Sequence, residues 1–183
     1  VNAARIAWSG SGQLPNPMVT DAWTTQEWVH FLEGMPDTLK PEQLKQLDEA
    51  YKFTGTANGE IAMRWYPLAE RSGYADARAA MGAFLERVGR RKLIMPVYKA
   101  LVATPGGLEF AKQVFAKAKP GYHPITTGSV QEAIANAKPV APAAPEAGTE
   151  PAEAPKLGNP TKLPTELYPV DPTKPAAPPP ATK

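Results

Sequence analysis

Val88–Tyr98 reads VGRRKLIMPVY, three consecutive cations, Arg90, Arg91 and Lys92, between a glycine that looks like a helix end and an apolar run that looks like a helix beginning. The chain can run two ways here. If the preceding helix continues through Gly89, the arginines sit at its C-terminus, where the macrodipole favours cations. If Gly89 lies just past the helix end and a new helix starts at Arg90 or Arg91, free backbone N–H groups and two or three cations converge on one spot. Cations at a helix start oppose its dipole at about 0.3–1 kcal/mol each when exposed, so that arrangement calls for an anion. A carboxylate or phosphate would suit it, with arginine supplying a bidentate fork and lysine a point charge.

Outward from this junction the pattern is helical on both sides. Thr24-Thr25-Gln26-Glu27 is a capping box opening a helix that puts Trp28, Phe31 and Leu32 on one face and stops at Gly34 and Pro36. Pro41 starts a second helix with Leu44, Leu47 and Tyr51 on one stripe. GEIAMRWYPLAERSG is a third, with Ile61, Trp65 and Leu68 turned to a core and a kink expected at Pro67. A fourth runs from about Tyr74 to Val88, alanine-rich on one side so that another helix can approach closely. RRKLIMPVYKALVAT is the fifth, and a sixth follows with Thr104 as its expected cap. Ser129-Val130-Gln131-Glu132 is expected to cap a last short helix. With no alternating strand and short connections, the expected class is all-α, either a bundle or a two-layer antiparallel solenoid.

The ends read differently. The chain opens VNAARIAW, without an initiator methionine, a basic leader or an apolar run, so it reads as a fragment of something longer. SGSG at Ser9–Gly12 lacks the Lys-Ser/Thr ending of a phosphate loop and reads as a flexible loop. From Lys138 to Lys183 the composition breaks: thirteen of the 22 prolines lie there, and five lysines balance five acidic residues. Such a segment cannot bury enough surface to offset its ordering entropy, so it is expected to be a disordered proline- and alanine-rich tail after a helical domain of residues 1–137.

Composition excludes several functions. With 183 residues and no cysteine there are no disulfides, thiolate metal sites or cysteine nucleophiles. No apolar run reaches the 18 to 20 or so residues of a membrane span. A net charge of +2 is too weak and too evenly spread for nucleic-acid binding. The two histidines, His30 and His123, are far apart, so a His-Glu-x-x-His zinc site is absent; no Gly-x-Ser-x-Gly elbow occurs either. His30 reads as a satisfied core or half-exposed residue, and His123, in GYHPI, as a turn residue pinning the chain rather than lining a cleft. Trp8, Trp23, Trp28 and Trp65 read as core anchors.

Three ordered stretches, FTGTANGEIAMRWYPLAERSGY, VGRRKLIMPVYKAL and PGYHPIT, are together similar to a known domain. Asn58 with Glu60-Ile61, Arg64-Trp65, Gly89-Arg90-x-Lys92 followed by Pro96, and His123-Pro124 carry the match, over roughly Val1 to Ala137. The chain resembles the C-terminal helical domain of the leukotriene hydrolase and aminopeptidase B branch of the zinc aminopeptidases, the gluzincins. That resemblance implies a two-layer, armadillo- or HEAT-like solenoid packed against a thermolysin-like catalytic domain of the same polypeptide. It implies that Arg90 and Lys92 hold the terminal carboxylate of short peptide substrates, with Arg91 given no substrate role. It also implies that zinc belongs to the upstream catalytic domain, with no cofactor in this chain, which is expected to be inactive alone. The proline-rich extension departs from the animal pattern and suggests a bacterial version with a periplasmic or envelope address, the cytoplasm being the alternative. The rival is a stand-alone helical-repeat module that binds a protein partner.

Overall fold

The structure, a computed structural model, describes residues 1–138; the tail expected after Lys138 lies outside the described residues. These fold into nine α-helices and two short 3₁₀ turns, with no strand among them. The helices are α1 (Asn2–Ser11), α2 (Pro17–Thr20), α3 (Thr25–Glu33), α4 (Pro41–Tyr51), α5 (Gly59–Arg71), α6 (Arg78–Arg87), α7 (Arg91–Val102), α8 (Gly107–Ala118) and α9 (Pro124–Ala135).

Local chemistry starts most of them where the sequence expects. Thr24 caps α3 by accepting from the Glu27 N–H, while Glu27 accepts from the Thr24 N–H at 2.8 Å. Pro41 opens α4. Asn58 caps α5, accepting from the N–H groups of Glu60 and Ile61. α3 packs on α5, α5 on α7 and α7 on α9, while α6 packs on α8 and α8 returns to α7. The expected all-helical, two-layer antiparallel arrangement results. Gly82 of α6 lets α8 come close: a Cβ there would lie 3.3 Å from the Phe110 ring.

The core is aromatic. Trp8, Trp65, Tyr66, Tyr98, Phe31 and Phe84 are fully buried. Trp23 and Trp28, only partly buried, pack edge to face with centroids 4.7 Å apart, a geometry that adds to area burial. Buried polar ends find partners: the Trp65 indole donates to the Thr54 hydroxyl at 2.9 Å, and the Tyr122 hydroxyl donates to the Leu85 carbonyl at 2.6 Å.

Three local expectations change. SGSG is not a loop: Ser9 to Ser11 form the last turn of α1, which ends at Gly12 in the left-handed region at φ 71°. Trp8 anchors that helix, fully buried. Gly89 does lie just past the Val88 C-cap of α6, without a left-handed φ. It is small because its position faces the Gly121 carbonyl, which a Cβ would approach to 3.2 Å. Thr104 does not cap α8, whose N-cap is Gly106; its hydroxyl donates instead to the Glu70 carboxylate at 2.7 Å. The last helix starts earlier than Ser129, with His123 as its cap and Pro124 as its first residue.

Glu70 is the one acidic residue buried among those described, its side chain 2% exposed. Arg78 meets it with both guanidinium branches, Nε to one oxygen at 3.1 Å and Nη2 to the other at 2.6 Å. With Thr104 this carboxylate joins α5, α6 and the turn after α7. Removing one partner of such a buried set leaves an uncompensated charge, costing about 3–5 kcal/mol.

A Cβ at Gly107 would collide with the Leu101 carbonyl and the Thr104 hydroxyl and lie 2.9 Å from Glu70. Gly107→Ala should therefore destabilise the protein by roughly 1–3 kcal/mol despite alanine's better helix propensity, read as a lower urea midpoint; an unchanged midpoint would refute the tight contact. Burial, then the neighbouring Asp48 carboxylate, pushes the Tyr74 hydroxyl up to about 12. Burial likewise raises Tyr51, Tyr66, Tyr98 and Tyr122. The folded state thus holds protons that the unfolded chain releases near pH 10. Stability should be intact below pH 10 and fall as pH rises towards 12, and a Tyr74→Phe variant should fall less steeply over that range.

Candidate functional site

The N-terminal ends of α3, α5, α7 and α9 come together along one edge. Side-chain bonds link them in sequence. The Asn58 amide donates to the Thr25 hydroxyl at 2.9 Å, joining α5 to α3. Lys92 Nζ donates to the Glu60 carboxylate, 3.0 Å from Oε1 and 3.2 Å from Oε2, joining α7 to α5. Arg91 Nε donates to the Ser129 hydroxyl at 2.8 Å, and the Thr126 hydroxyl donates to the Gly89 carbonyl at 3.4 Å, joining α9 to α7.

The junction at Val88–Tyr98 takes the second of the two courses open to the sequence. α6 ends at Arg87 with Val88 as its C-cap, and α7 begins at Arg91 with Arg90 as an extended N-cap residue. The three cations therefore stand at a helix start. Arg90 is exposed, and no hydrogen bond or ion pair joins its side chain to another described residue. Lys92, one residue into the same turn, is 59% exposed and shares its ammonium with Glu60, itself 34% exposed. An ammonium has three N–H groups, so this contact leaves Lys92 donor capacity to spare. α7 also lacks a side-chain cap, whereas Thr24, Asn58 and His123 cap α3, α5 and α9.

The edge thus carries net positive charge, free donors and the positive end of a helix dipole, an arrangement that holds an anion. Arg91, Lys92, Met95 and Lys99 line a shallow cleft of about 370 Å³ beside it. A larger cleft of about 470 Å³ runs along α7 towards its other end, among Met63, Arg64, Pro67, Pro96, Lys99 and Ala100. It includes neither Arg90 nor Lys92, and touches the smaller one only through Lys99.

The histidines take no part in this edge's chemistry. His123 Nδ1 accepts from the Ile125 N–H at 3.3 Å as the cap of α9, the structural role expected of it. His30 is exposed rather than core, its Nε2 2.9 Å from the Asn2 side-chain oxygen. No group of three or more His, Cys, Asp or Glu side chains among the described residues could hold a metal ion. None of the described helices is long and apolar enough to cross a membrane.

Glu60 and Ser129, which hold Lys92 and Arg91, stand in the sequence reading only as part of the matching motif and as an expected helix cap, not as partners of these cations. Glu60 lies within a matching stretch, but nothing in the chain announces a partner 32 positions away.

The chain is 33% identical over 121 residues to leucine aminopeptidase 2 of Pyricularia oryzae, covering 64% of this chain and 19% of that protein. Leucine aminopeptidase 2 of Neurospora crassa is 30% identical over 128 residues, 68% of this chain and 19% of that protein. Aminopeptidase B of Mus musculus is 29% identical over 130 residues, 67% and 20%. The chain thus spans about a fifth of the length of these relatives. The family model described as "Leukotriene A4 hydrolase, C-terminal" matches residues 23–134, which leaves α1 and α2 outside a likeness that the sequence motifs suggested from Val1. With most of its length inside that match, the chain belongs to the leukotriene A4 hydrolase C-terminal domain family.

Proposed function

We propose that this chain is the substrate-positioning domain of a zinc aminopeptidase that removes N-terminal residues from short peptides. In this reading Arg90 and Lys92 bind the peptide's terminal carboxylate. The observation that carries it is the pairing at the start of α7. Arg90 is exposed with no partner among the described residues, and Lys92, two positions on, keeps free N–H capacity at an uncapped helix N-terminus. The relatives' names, leucine aminopeptidase 2 and aminopeptidase B, support the activity class.

The clamp works by position. The planar guanidinium of Arg90 can take both oxygens of a carboxylate, and the Lys92 ammonium adds a third charge-assisted bond. Holding one end of a short peptide fixes where its other end lies, which turns part of the entropy of reaction into binding. Zinc, in this proposal, belongs to a catalytic domain of the same polypeptide and supplies the Lewis-acid chemistry there. The residues described here do not form a site for it. Arg91 is occupied by Ser129 and is given no contact with substrate.

Two measurements test this. The 183-residue chain alone should take up no stoichiometric zinc and turn over no aminoacyl nitroanilide; chelator-sensitive turnover would overturn the assignment. In the complete parent protein, Arg90→Ala should lose a charge-assisted hydrogen bond worth roughly 1.5–3 kcal/mol, or about ten- to 150-fold in kcat/KM, for tripeptides with a free C-terminus. Lys92→Ala should lose less. The same peptides with an amidated C-terminus should be nearly unaffected, and the melting temperature should barely move because both residues are exposed. Equal losses on acid and amide would make the cluster structural.

A further inference from the structure

Lys92 reaches the substrate edge on a flexible four-carbon stem, yet its ammonium is not free to wander. Both carboxylate oxygens of Glu60 hold it, at 3.0 and 3.2 Å. Glu60 is itself well placed to act as the fixed partner. It sits in the first turn of α5, where its negative charge complements the helix dipole. Its backbone N–H is tied to the Asn58 side chain at 3.0 Å, and Asn58 is in turn tied to α3. The two ends of the contact therefore differ in freedom: the carboxylate hangs from a capped, cross-linked turn, and the lysine from the uncapped start of α7.

We infer that Glu60 is a positioning residue for the carboxylate clamp, aiming the Lys92 ammonium at the substrate's terminus; this rests on the clamp proposed above. The Lys92 ammonium then bridges two carboxylates, one from the protein and one from the peptide, using N–H groups that Glu60 leaves unspent. Arranging the cation before the peptide arrives means the peptide need not select one rotamer of a long side chain. The Glu60 charge also repels the incoming carboxylate, but the ammonium stands between them, and solvent screens exposed charges. The preorganising effect outweighs that repulsion.

Glu60→Gln keeps the size of the side chain and removes the charge, so it tests aim without emptying the turn. In the full-length protein it should raise KM for free-acid tripeptides about three- to tenfold, the change falling on KM rather than kcat, with under twofold effect on the amidated peptides. In a Lys92→Ala background the same substitution should add less than twofold, because there is no ammonium left to aim. Acylation of Lys92 by a small anhydride, followed by mass spectrometry, should speed up several-fold in Glu60→Gln without any peptide present. A lower KM would show that Glu60 competes with substrate, and additive losses with Lys92→Ala would show that it acts elsewhere; either overturns the inference. Faster acylation with an unchanged KM would do the same, leaving an ion pair that does not serve the substrate. Arg90→Ala separates the two levels. If it still distinguishes acid from amide while Glu60→Gln does not, only the role of Glu60 fails; if it does not distinguish them, the clamp fails and Glu60 with it.

Discussion

The buried carboxylate of Glu70 sets the register on which the exposed edge depends. Near the C-terminal end of α5 it receives Arg78 from α6 and Thr104 from the turn after α7. At the opposite end of the same two helices, Lys92 meets Glu60. Ten residues separate Glu60 from Glu70 along α5, and twelve separate Lys92 from Thr104 along α7 and its turn. At about 1.5 Å of rise per helical residue these spans are similar, so two parallel helices pinned at one end match at the other. The strong contact is the hidden one. An exposed pair such as Lys92–Glu60 contributes at most about 1 kcal/mol to stability, so it reports the register rather than imposing it.

This division explains how an edge can be both ordered and chemically available. Stability lies in Glu70, in the aromatic core from Phe31 to Tyr98, and in the Tyr122 hydroxyl on the Leu85 carbonyl. All of these are buried. The edge is then free to carry an arrangement that local physics disfavours, three cations at the start of a helix. Natural sequences give up local consistency mainly where function requires it, and the proposed clamp would make the start of α7 such a place.

Where a helix announces its own start, the chain was legible: Thr24 with Glu27 for α3 and Pro41 for α4, whereas Asn58, read only as part of the motif match, proves to cap α5. It misled where a side chain with capping chemistry is used by something distant. Thr104 looks like a cap, but Glu70 takes its hydroxyl. Ser129 looks like a cap, but it lies inside α9 and bonds to Arg91 and to the Ile125 carbonyl. His123 was recognised as a pin but not as the cap itself, since imidazole is an unusual acceptor for that position. Gly89 was read as a residue past a helix end, which it is, but its demand for space beside Gly121 no local pattern reveals. α1 was invisible because one buried residue, Trp8, fastens it, too few to leave a periodic stripe.

The same contrast runs through the candidate site. Arg90 and Lys92 lie two positions apart within a recognisable motif, so the sequence singled out both as candidates; what differs between them is tertiary. Lys92 is held by a residue from another helix, while Arg90 meets none of the described side chains. A guanidinium brings a rigid plane with its hydrogen-bond directions built in, and so needs little help to present a fork. An ammonium on a flexible stem has no such geometry and must borrow it. The edge supplies that geometry to the lysine alone, which is where it is required if both cations are to meet one carboxylate.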